Sequence, residues 1–344
     1  MQQEITRRMP LLDENGNLTK AGYAKKLLPV YRRADIKAGW HRIKEWDYYL
    51  VSNGRFALAL TIADNSYMGL DSISFLDIEN GWEITKSPMR ILPNGKTNLP
   101  ETSEFGDAGI SGRGYGIFFK NDGEGKRTLI AHMKNFGAGG PISAKITLTS
   151  EPEESMVIAT PFEKTGHFYY NQKINCMRAM GEVTYDHKTY IFEPEGSFAV
   201  LDWGRGVWTY KNTWYWGSAS YAVDGETFGF NIGYGFGDAN AATENMLFYK
   251  GRAHKLSQVF WDIPKDSAGR EEFMKPWRFF SDDGRFEMDF FPCLDRASCS
   301  DVGIIKSDQH QVFGRFAGKA VLDDGSVLNV ADIPGFAEKV QNKW

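Results

Sequence analysis

Glycine preceded by Asn or Asp recurs along the chain, at Asn53-Gly54, Asn80-Gly81, Asn94-Gly95, Asp122-Gly123, Asp224-Gly225, Asp283-Gly284 and Asp324-Gly325. Such pairs accept the positive φ that tight hairpin turns demand. Several sit between or within alternating and aromatic runs: FALALTIAD (56–64), DSISFLDIENGWEIT (71–85), YGIFFKNDGEGKRTLIAHM (115–133) and SAKITLTS (143–150). Short strands at regular spacing joined by such turns predict an all-β sandwich or barrel.

Helical patterning is confined to the ends. LTKAGYAKKLLPV (18–30) sets Leu18, Ala21, Tyr23, Ala24 and Leu28 partly on one side, enough for two or three turns. DIPGFAEKVQNKW (332–344) offers Asp332 as an N-cap and Pro334 in the first turn, with Phe336, Val340 and Trp344 following at i, i+4, i+8. The expectation is a closing helix packed on a barrel wall.

A length of 344 residues suits two domains, and a 42% hydrophobic content suffices for a sizeable core. The chain is expected to divide into an N-terminal helical extension (1–29), a first β-domain (30–208) and a second (209–344) that carries the closing helix. Without a Pro/Gly/Ser linker between them, the two β-rich parts should share an interface. EPEES (151–155) fits a polar loop rather than a linker.

Charge and cysteine content narrow the function classes. The formal net charge is −4 and the charges are interspersed, with no Lys/Arg block to track phosphates, so nucleic acid is not an expected partner. The first residues, MQQEITRRMPLLDENG, contain no apolar signal region, and no run approaches a membrane span. Cys176, Cys293 and Cys299 are too few and too irregularly spaced for a disulfide framework or a zinc knuckle, so a reducing cytoplasm is the expected location. The six histidines, at 41, 132, 167, 187, 254 and 310, show no metal-ligand spacing, and a G-x-S-x-G elbow is absent. Neither a metal nor another cofactor is expected.

Aromatic residues reach 14%, and Trp203, Trp208, Trp214 and Trp216 crowd into DWGRGVWTYKNTWYWGSAS (202–220). In NTWYWGSAS, Trp214, Trp216, Ser218 and Ser220 share one strand face, and Tyr215, Gly217 and Ala219 the other. Two tryptophans at i, i+2 stand about 7 Å apart and would form a flat apolar wall in a barrel. Upstream, Asp202 and Arg205 flank a Trp-Gly in what is expected to be a loop or crossover between the halves.

The next run, ETFGFNIGYGFGDANAATENMLF (226–248), also alternates. Phe228, Phe230, Ile232, Tyr234 and Phe236 fall on one face; Gly229, Asn231, Gly233, Gly235 and Gly237 fall on the other. Glycines cost a strand packing and entropy, and make sense where another group comes close. That group is either a bulky ligand or protein from the adjacent strand. Asp238, Asn240, Thr243, Glu244 and Asn245 then gather at one hairpin end, either as solvated turn residues or as a carboxylate-lined rim.

These motifs resemble the DUF2804 family, whose activity is not established. The resemblance continues through HRIKEWDYYLVSNGRFALALTIADNSYMGLDSISFLD (41–77) and DGRFEMDFFPCLDRASCSDVGIIKSDQHQVFGRFAGKAVLDDG (283–325), most of the chain. More distantly, Trp203-Gly204-Arg205 followed by Trp214-x-Trp216 is similar to motifs of tocopherol cyclases, carotenoid hydratases and AttH-like proteins. The resemblance implies two lipocalin-like, calycin-type β-domains packed together. Where many tocopherol cyclases carry Phe-Pro before Trp-x-Trp, this chain has Val207-Trp208-Thr209-Tyr210. In hydratase-like members an Asp beside the Trp-Gly is a candidate proton donor, and Asp202 occupies that place.

The leading expectation is a binder of a lipophilic or terpenoid-like small molecule in a barrel or inter-domain cavity. Conversion there would use acid–base chemistry of the cyclase, hydratase or isomerase type. It needs an acid, an aromatic wall for a cationic transition state, and a base. Asp202 is the candidate acid if burial raises its pKa; alternatively it pairs with Arg205 as an architectural clamp. Trp203, Trp214 and Trp216 are the candidate wall, and Asn231, Asp238, Glu244, Asn245 and Arg315 candidate ligand contacts. His310 is a candidate proton shuttle, with Asp295, Arg296 and Gln311 near it in sequence. His41, Lys44, Trp46 and Asp47 form a polar-aromatic group in the first half, expected to be structural. The alternatives are a non-catalytic carrier or sensor, and a carbohydrate-active protein using Asp238 with Glu244, or Asp202 with Asp262, as acid and base.

Overall fold

The computed structural model describes residues 2–301 and 306–343. Among the described residues fourteen strands form one antiparallel sheet and nine form a second; two-residue strands, Met9–Pro10 and Pro29–Val30, pair apart from both. The strands of the larger sheet lie between Gly22 and Val207, those of the smaller between Lys211 and Lys343. The molecule is thus a two-domain, nearly all-β protein, as the turn chemistry predicts. No helix among the described residues is long and apolar enough to cross a membrane.

Every one of the seven Asn-Gly or Asp-Gly pairs except Asn94-Gly95 joins neighbouring antiparallel strands. Asp224 and Gly225 both take positive φ (52° and 80°), as a type I′ turn requires. Asn94-Gly95 instead lies in the strandless stretch before Ala108, where the carboxylate of Asp64 accepts from Gly95 N at 2.9 Å.

Eight strands build or flank the contact between the domains: β1 (Ile43–Ser52), β2 (Phe56–Asp64), β3 (Phe168–Tyr185), β4 (Phe198–Val207), β5 (Lys211–Val223), β6 (Glu226–Tyr234), β7 (Lys306–Val321) and β8 (Val327–Lys343). In space they run β2-β1-β4-β3 in the first sheet and β6-β5-β8-β7 in the second. Period-two alternation gives each strand one face for its own domain's core and one for the other domain. On β4, Ala199, Leu201, Trp203 and Val207 join the first core, while Val200 turns outward. In the second domain Ala219, Phe228, Phe230, Ile232, Val312, Phe316 and Ala337 form the core. The outward faces meet in a cluster of Tyr48, Leu50, Val200, Trp216, Phe313 and Phe336, all buried. Each such side chain contributes about 1.5–3 kcal/mol when fully buried, so the two domains are held as one body.

Both predicted terminal helices are absent among the described residues. Residues 327–343 form β8, paired with β7 from Lys306↔Lys343 to Val321↔Val327. A spacing of four fits both periods: Phe336 and Val340 share a helix stripe, but also one face of a strand. Long-range pairing with β7 and β5 decides for the strand. Asp332 is not an N-cap but a residue with φ 56°, near a register shift; Trp344 lies outside the described residues. At the other end, Gly22–Ala24 pairs with Met156–Pro161, and Tyr23 exchanges main-chain hydrogen bonds with Gln3 and Ile5. Gly22 weakens a helix there, and the sheet edge supplies the backbone partners instead.

Asp202 to Arg205 is also not a crossover. It sits inside β4, paired on both sides with β1 and β3. The chain passes between the sheets after Val207, at residues 208–210.

Candidate functional site

The domain interface brings charged groups together among its aromatic rings. On the outward face of β3 lie Tyr169, Asn171 and Lys173; opposite Lys173 on β4 is Asp202. Lys173 Nζ is 2.8 Å from the Asp202 carboxylate, and Asn171 donates to Asp202 Oδ1 at 2.6 Å. Both members of the ion pair are buried. From the second domain, β5 lays the Trp216 ring over this ammonium, 3.6 Å from Nζ to the ring centroid.

A chain of hydrogen bonds ties that ring to the backbone of a second acidic residue. Trp216 Nε1 donates to Asn231 Oδ1 at 2.7 Å, and Asn231 Nδ2 donates to the main-chain oxygen of Glu244 at 2.8 Å. The half-buried Glu244 side chain lies against Gly233, where a Cβ would stand 2.8 Å from its carboxyl carbon. The third carboxyl group is the buried Glu338 of β8: Trp214 Nε1 and Gln311 Nε2 each donate to one of its oxygens at 2.8 Å.

Electrostatics sets Glu244 and Glu338 apart from ordinary carboxylates. Burial raises the pKa of Glu244, reinforced by the charge of Asp202 and opposed by Lys173 and Lys255. Burial likewise raises that of Glu338, opposed by the Trp214 hydrogen bond, Lys173 and Arg296. Tyr169 is held well above the usual phenol range by burial and then by Glu244, Asp202 and Glu338, so it stays protonated and can only give a hydrogen bond or accept one at its oxygen. The arrangement therefore holds acids whose protonated form is favoured by burial, a fixed cation and aromatic faces, the parts needed for proton transfer to an apolar group.

The glycine face of β6 does turn toward a close neighbour, and the neighbour is protein. A Cβ at Gly229 would stand 2.6 Å from Cys176 Sγ, and Gly233 receives Glu244. Cys176 sits at a register shift in β3 with φ 65°, and its N–H donates to Ser220 Oγ at 3.0 Å. The adjacent Asn175 donates to Ser218 Oγ at 2.8 Å and to Phe230 O at 3.2 Å. A bulge of the first domain is thus seated in the gap left by small residues of the second. The tryptophan face of β5 looks out onto the first domain, not into its own barrel.

Of the residues singled out from sequence, Asp202, Trp214, Trp216, Asn231 and Glu244 converge here. Trp203 and Arg205 do not: they occupy the opposite face of β4, inside the first barrel. Arg205 pairs with Asp47 at 3.0 Å, donates to Pro100 O at 2.7 Å and lies 4.3 Å over the Trp203 ring. The expected Asp202–Arg205 pair is not made, because three residues along a strand is an odd step and the side chains point to opposite faces. His310 is on a different part of the second domain, with Nδ1 2.7 Å from Asp295 and its ring stacked 4.0 Å from Phe273. Arg315 reaches Gly54 O at 3.3 Å and Asp332 at 3.8 Å. Asp238 is exposed and accepts from Asn240 N; Asn245 accepts from Gly233 N at 2.8 Å. Asp262 is exposed on another strand. Of the group in the first half, Trp46 lies in the interface, Asp47 in the barrel, and the Lys44 ammonium 4.1 Å over Tyr67. Lys173, Glu338 and Tyr169 escape sequence reading; the signal for Lys173 is a lysine in the long strand run FYYNQKINCMRAM, whose neighbours are otherwise those of a buried strand.

Free volume is scarce. Inside the first barrel, space beside Trp203, Asp47 and Arg127 amounts to about 10 Å³, room for a single water. In the interface, a groove between Phe198, Val200, Ser218, Phe313 and Phe336 leaves about 30 Å³. Val200 is one pleat from Asp202, and Ser218 one pleat from Trp216, so the groove leads to the charged cluster. Among the described residues no three His, Cys, Asp or Glu side chains are grouped to hold a metal ion.

Comparison with known proteins agrees with this architecture. The model of the DUF2804 family, described as a domain of unknown function, matches residues 2–344. No curated protein matches the sequence. Among solved structures, an AttH-like protein of Nitrosomonas europaea superposes with a TM-score of 0.54 at 13% identity, covering 96% of this chain and 98% of its own. Kievitone hydratase of Nectria haematococca superposes with a TM-score of 0.53 at 10% identity, covering 98% of each chain. At these identities the likeness is one of fold.

Proposed function

The chain belongs to the DUF2804 family, and from that premise we propose that it converts a small, largely apolar molecule at the domain interface by cofactor-free acid–base chemistry of the hydratase or isomerase type. One observation carries the reading: Lys173 lies under the Trp216 ring and pairs with Asp202, Trp214 donates to Glu338, and the charges of Glu244, Asp202 and Glu338 all act on Tyr169. The hydratase among the structures with this fold supports the reaction class, not the substrate.

In this reading Glu244 is the proton donor. Burial favours the protonated form of its carboxyl group. Proton transfer to an alkene leaves a carbocation, which the Trp214 ring and the Asp202 carboxylate stabilise. Water then adds with loss of its proton to a carboxylate; loss of a proton from carbon gives isomerisation instead. Asp202, anchored by Lys173 and Asn171, acts as the fixed counter-charge. The apolar part of the substrate lies along the groove at Phe198 and Phe336.

The test is to incubate the purified protein with a small-molecule extract of its host in D₂O and search by mass spectrometry for compounds that gain or lose one water, or exchange a carbon-bound hydrogen for deuterium. The wild type is expected to produce such a change and Glu244→Gln to abolish it with the fold intact. A change of equal rate in Glu244→Gln would remove Glu244 from the role, and no change with the wild type would count against an enzyme and for a carrier.

A further inference from the structure

The interdomain groove at Phe198 and Phe336 leaves about 30 Å³, about the volume of one water, so a bulkier substrate needs some part of the protein to move. Resting on the reading of the interdomain cluster as the site, we propose that residues 235–242 form a lid over it, latched at Thr243 by Gln2 and plugged by Phe236, and that the plug stands where an apolar ring of the ligand binds.

Three observations carry this. The segment lies between β6 and the strand Met246–Tyr249 without strand structure of its own, and it begins with two glycines at positive φ, Gly235 (87°) and Gly237 (76°). Such residues absorb backbone rotation at low cost. Second, Phe236 inserts edge-on among rings from both domains: its centroid is 4.7 Å from Trp208, 4.8 Å from Tyr169 and 5.5 Å from Trp214. Two of these, Trp214 and Tyr169, also border the carboxyl groups. A lid that lifts therefore vacates a ring-sized aromatic slot beside the acids.

Third, the far end of the segment is held by residues at the other end of the chain. Gln2 Oε1 accepts from Thr243 N at 2.7 Å and from Thr243 Oγ1 at 3.1 Å, and Gln2 Nε2 donates to Leu256 O at 2.7 Å. Gln3 N donates to Ala241 O at 2.8 Å. Glu244 follows Thr243 directly, so the latch fixes the proton donor in place. Thr243 and Asn245 are bonded as well to Lys255 Nζ, Leu256 O and Ser257 O, so this end is the anchor. The stretch from Gly235 to Ala242 is tied down by the bonds from Asp238 N to Pro161 O and from Gln3 N to Ala241 O, and a stretch so lightly held opens at far lower cost than the core.

Hydrogen exchange and a neutral fluorescent ring compound, N-phenyl-1-naphthylamine, test the proposal. In Gln2→Ala, exchange across 235–242 should rise about five-fold or more while β5 and β8 keep their protection. In Phe236→Leu, and more so in Phe236→Ala if it folds, the probe should bind about ten-fold more tightly than to the wild type, because the slot is emptied. Adding Trp214→Phe to Phe236→Leu should reduce that gain. Unchanged exchange in Gln2→Ala, or probe affinity in Phe236→Leu equal to wild type, overturns the lid. If the lid behaves as stated but the D₂O experiment shows no reaction, the chemistry fails and the lid stands; the converse pattern removes the lid and leaves the chemistry.

Discussion

Lys173 of the first domain holds its ammonium 3.6 Å from the ring centroid of Trp216 of the second, while ion-paired at 2.8 Å with Asp202. This contact joins the two sheets by charge as well as by apolar packing. A desolvated cation over a tryptophan face is worth about 2 kcal/mol, and a buried ion pair is costly to break from one side.

Lys173→Met should therefore destabilise strongly, by about 3–5 kcal/mol, because Asp202 is left buried without its counter-charge. The double variant Lys173→Met/Asp202→Asn should recover much of that loss. Urea denaturation of wild type, Lys173→Met, Asp202→Asn and the double variant checks it, and equal stability of Lys173→Met and the double variant would show that the two charges do not depend on each other.

Arg205 and Asp47 form a separate pair inside the first barrel. Asp47→Asn should lower the melting temperature through loss of that buried pair, yet leave the Trp216 environment unchanged. Asp202→Asn should also destabilise, because it leaves Lys173 unpaired, but it should alter the Trp216 environment with the Arg205 pairing intact. Matching effects of the two substitutions on the Trp216 environment would mean that the faces of β4 are coupled.

The raised pKa values of Glu244 and Glu338 make a signed prediction. An acid whose folded pKa exceeds its unfolded value, 4.5 for Glu, holds its proton better when folded. Its stabilising contribution is complete below the unfolded pKa and is lost as pH rises through the folded one. For Glu338 the facing groups are Lys173, Arg296, Trp214 and Gln311; for Glu244 they are Lys173, Lys255, Asp202 and Asn231. The stability of wild type relative to Glu338→Gln should fall as pH rises above 4.5. Thermal melts of both proteins across the acid-to-neutral range provide the comparison; a difference that grows with pH in favour of wild type would reverse the assignment.

Gly233→Ala should act on the site more than on the fold. The added Cβ meets the Glu244 carboxyl group at 2.8 Å and the Tyr215 main-chain oxygen at 2.8 Å. Overpacking of this kind costs about 1–3 kcal/mol. The expected outcome is a modest drop in melting temperature with loss of the D₂O-detected reaction. Full activity in this variant would place the reacting proton elsewhere.

Much of the fold is legible in the residues themselves. The Asn-Gly and Asp-Gly turns announce the hairpins, and alternation correctly separates Trp216 from Ala219 and Gly229 from Phe230. What alternation cannot supply is which face looks inward. Trp214 and Trp216 are apolar enough for a core, yet the opposite face, with Tyr215 and Ala219, is the one that closes the second barrel. Asp202 and Arg205, close in sequence, belong to different compartments, while Lys173 and Asp202 meet only through long-range strand pairing. The expected terminal helices fail for a related reason: Phe336 and Val340 satisfy both periods, and pairing with β7 lies outside any local window.

The most direct measurement is an infrared titration of the carboxyl C=O band, comparing wild type with Glu244→Gln. The wild type should show a protonated-carboxyl band that is missing in the variant and that disappears with a midpoint above 4.5, the ordinary value for Glu. A band assigned to Glu244 that is lost at or below 4.5 would contradict its role as the proton donor of the interface.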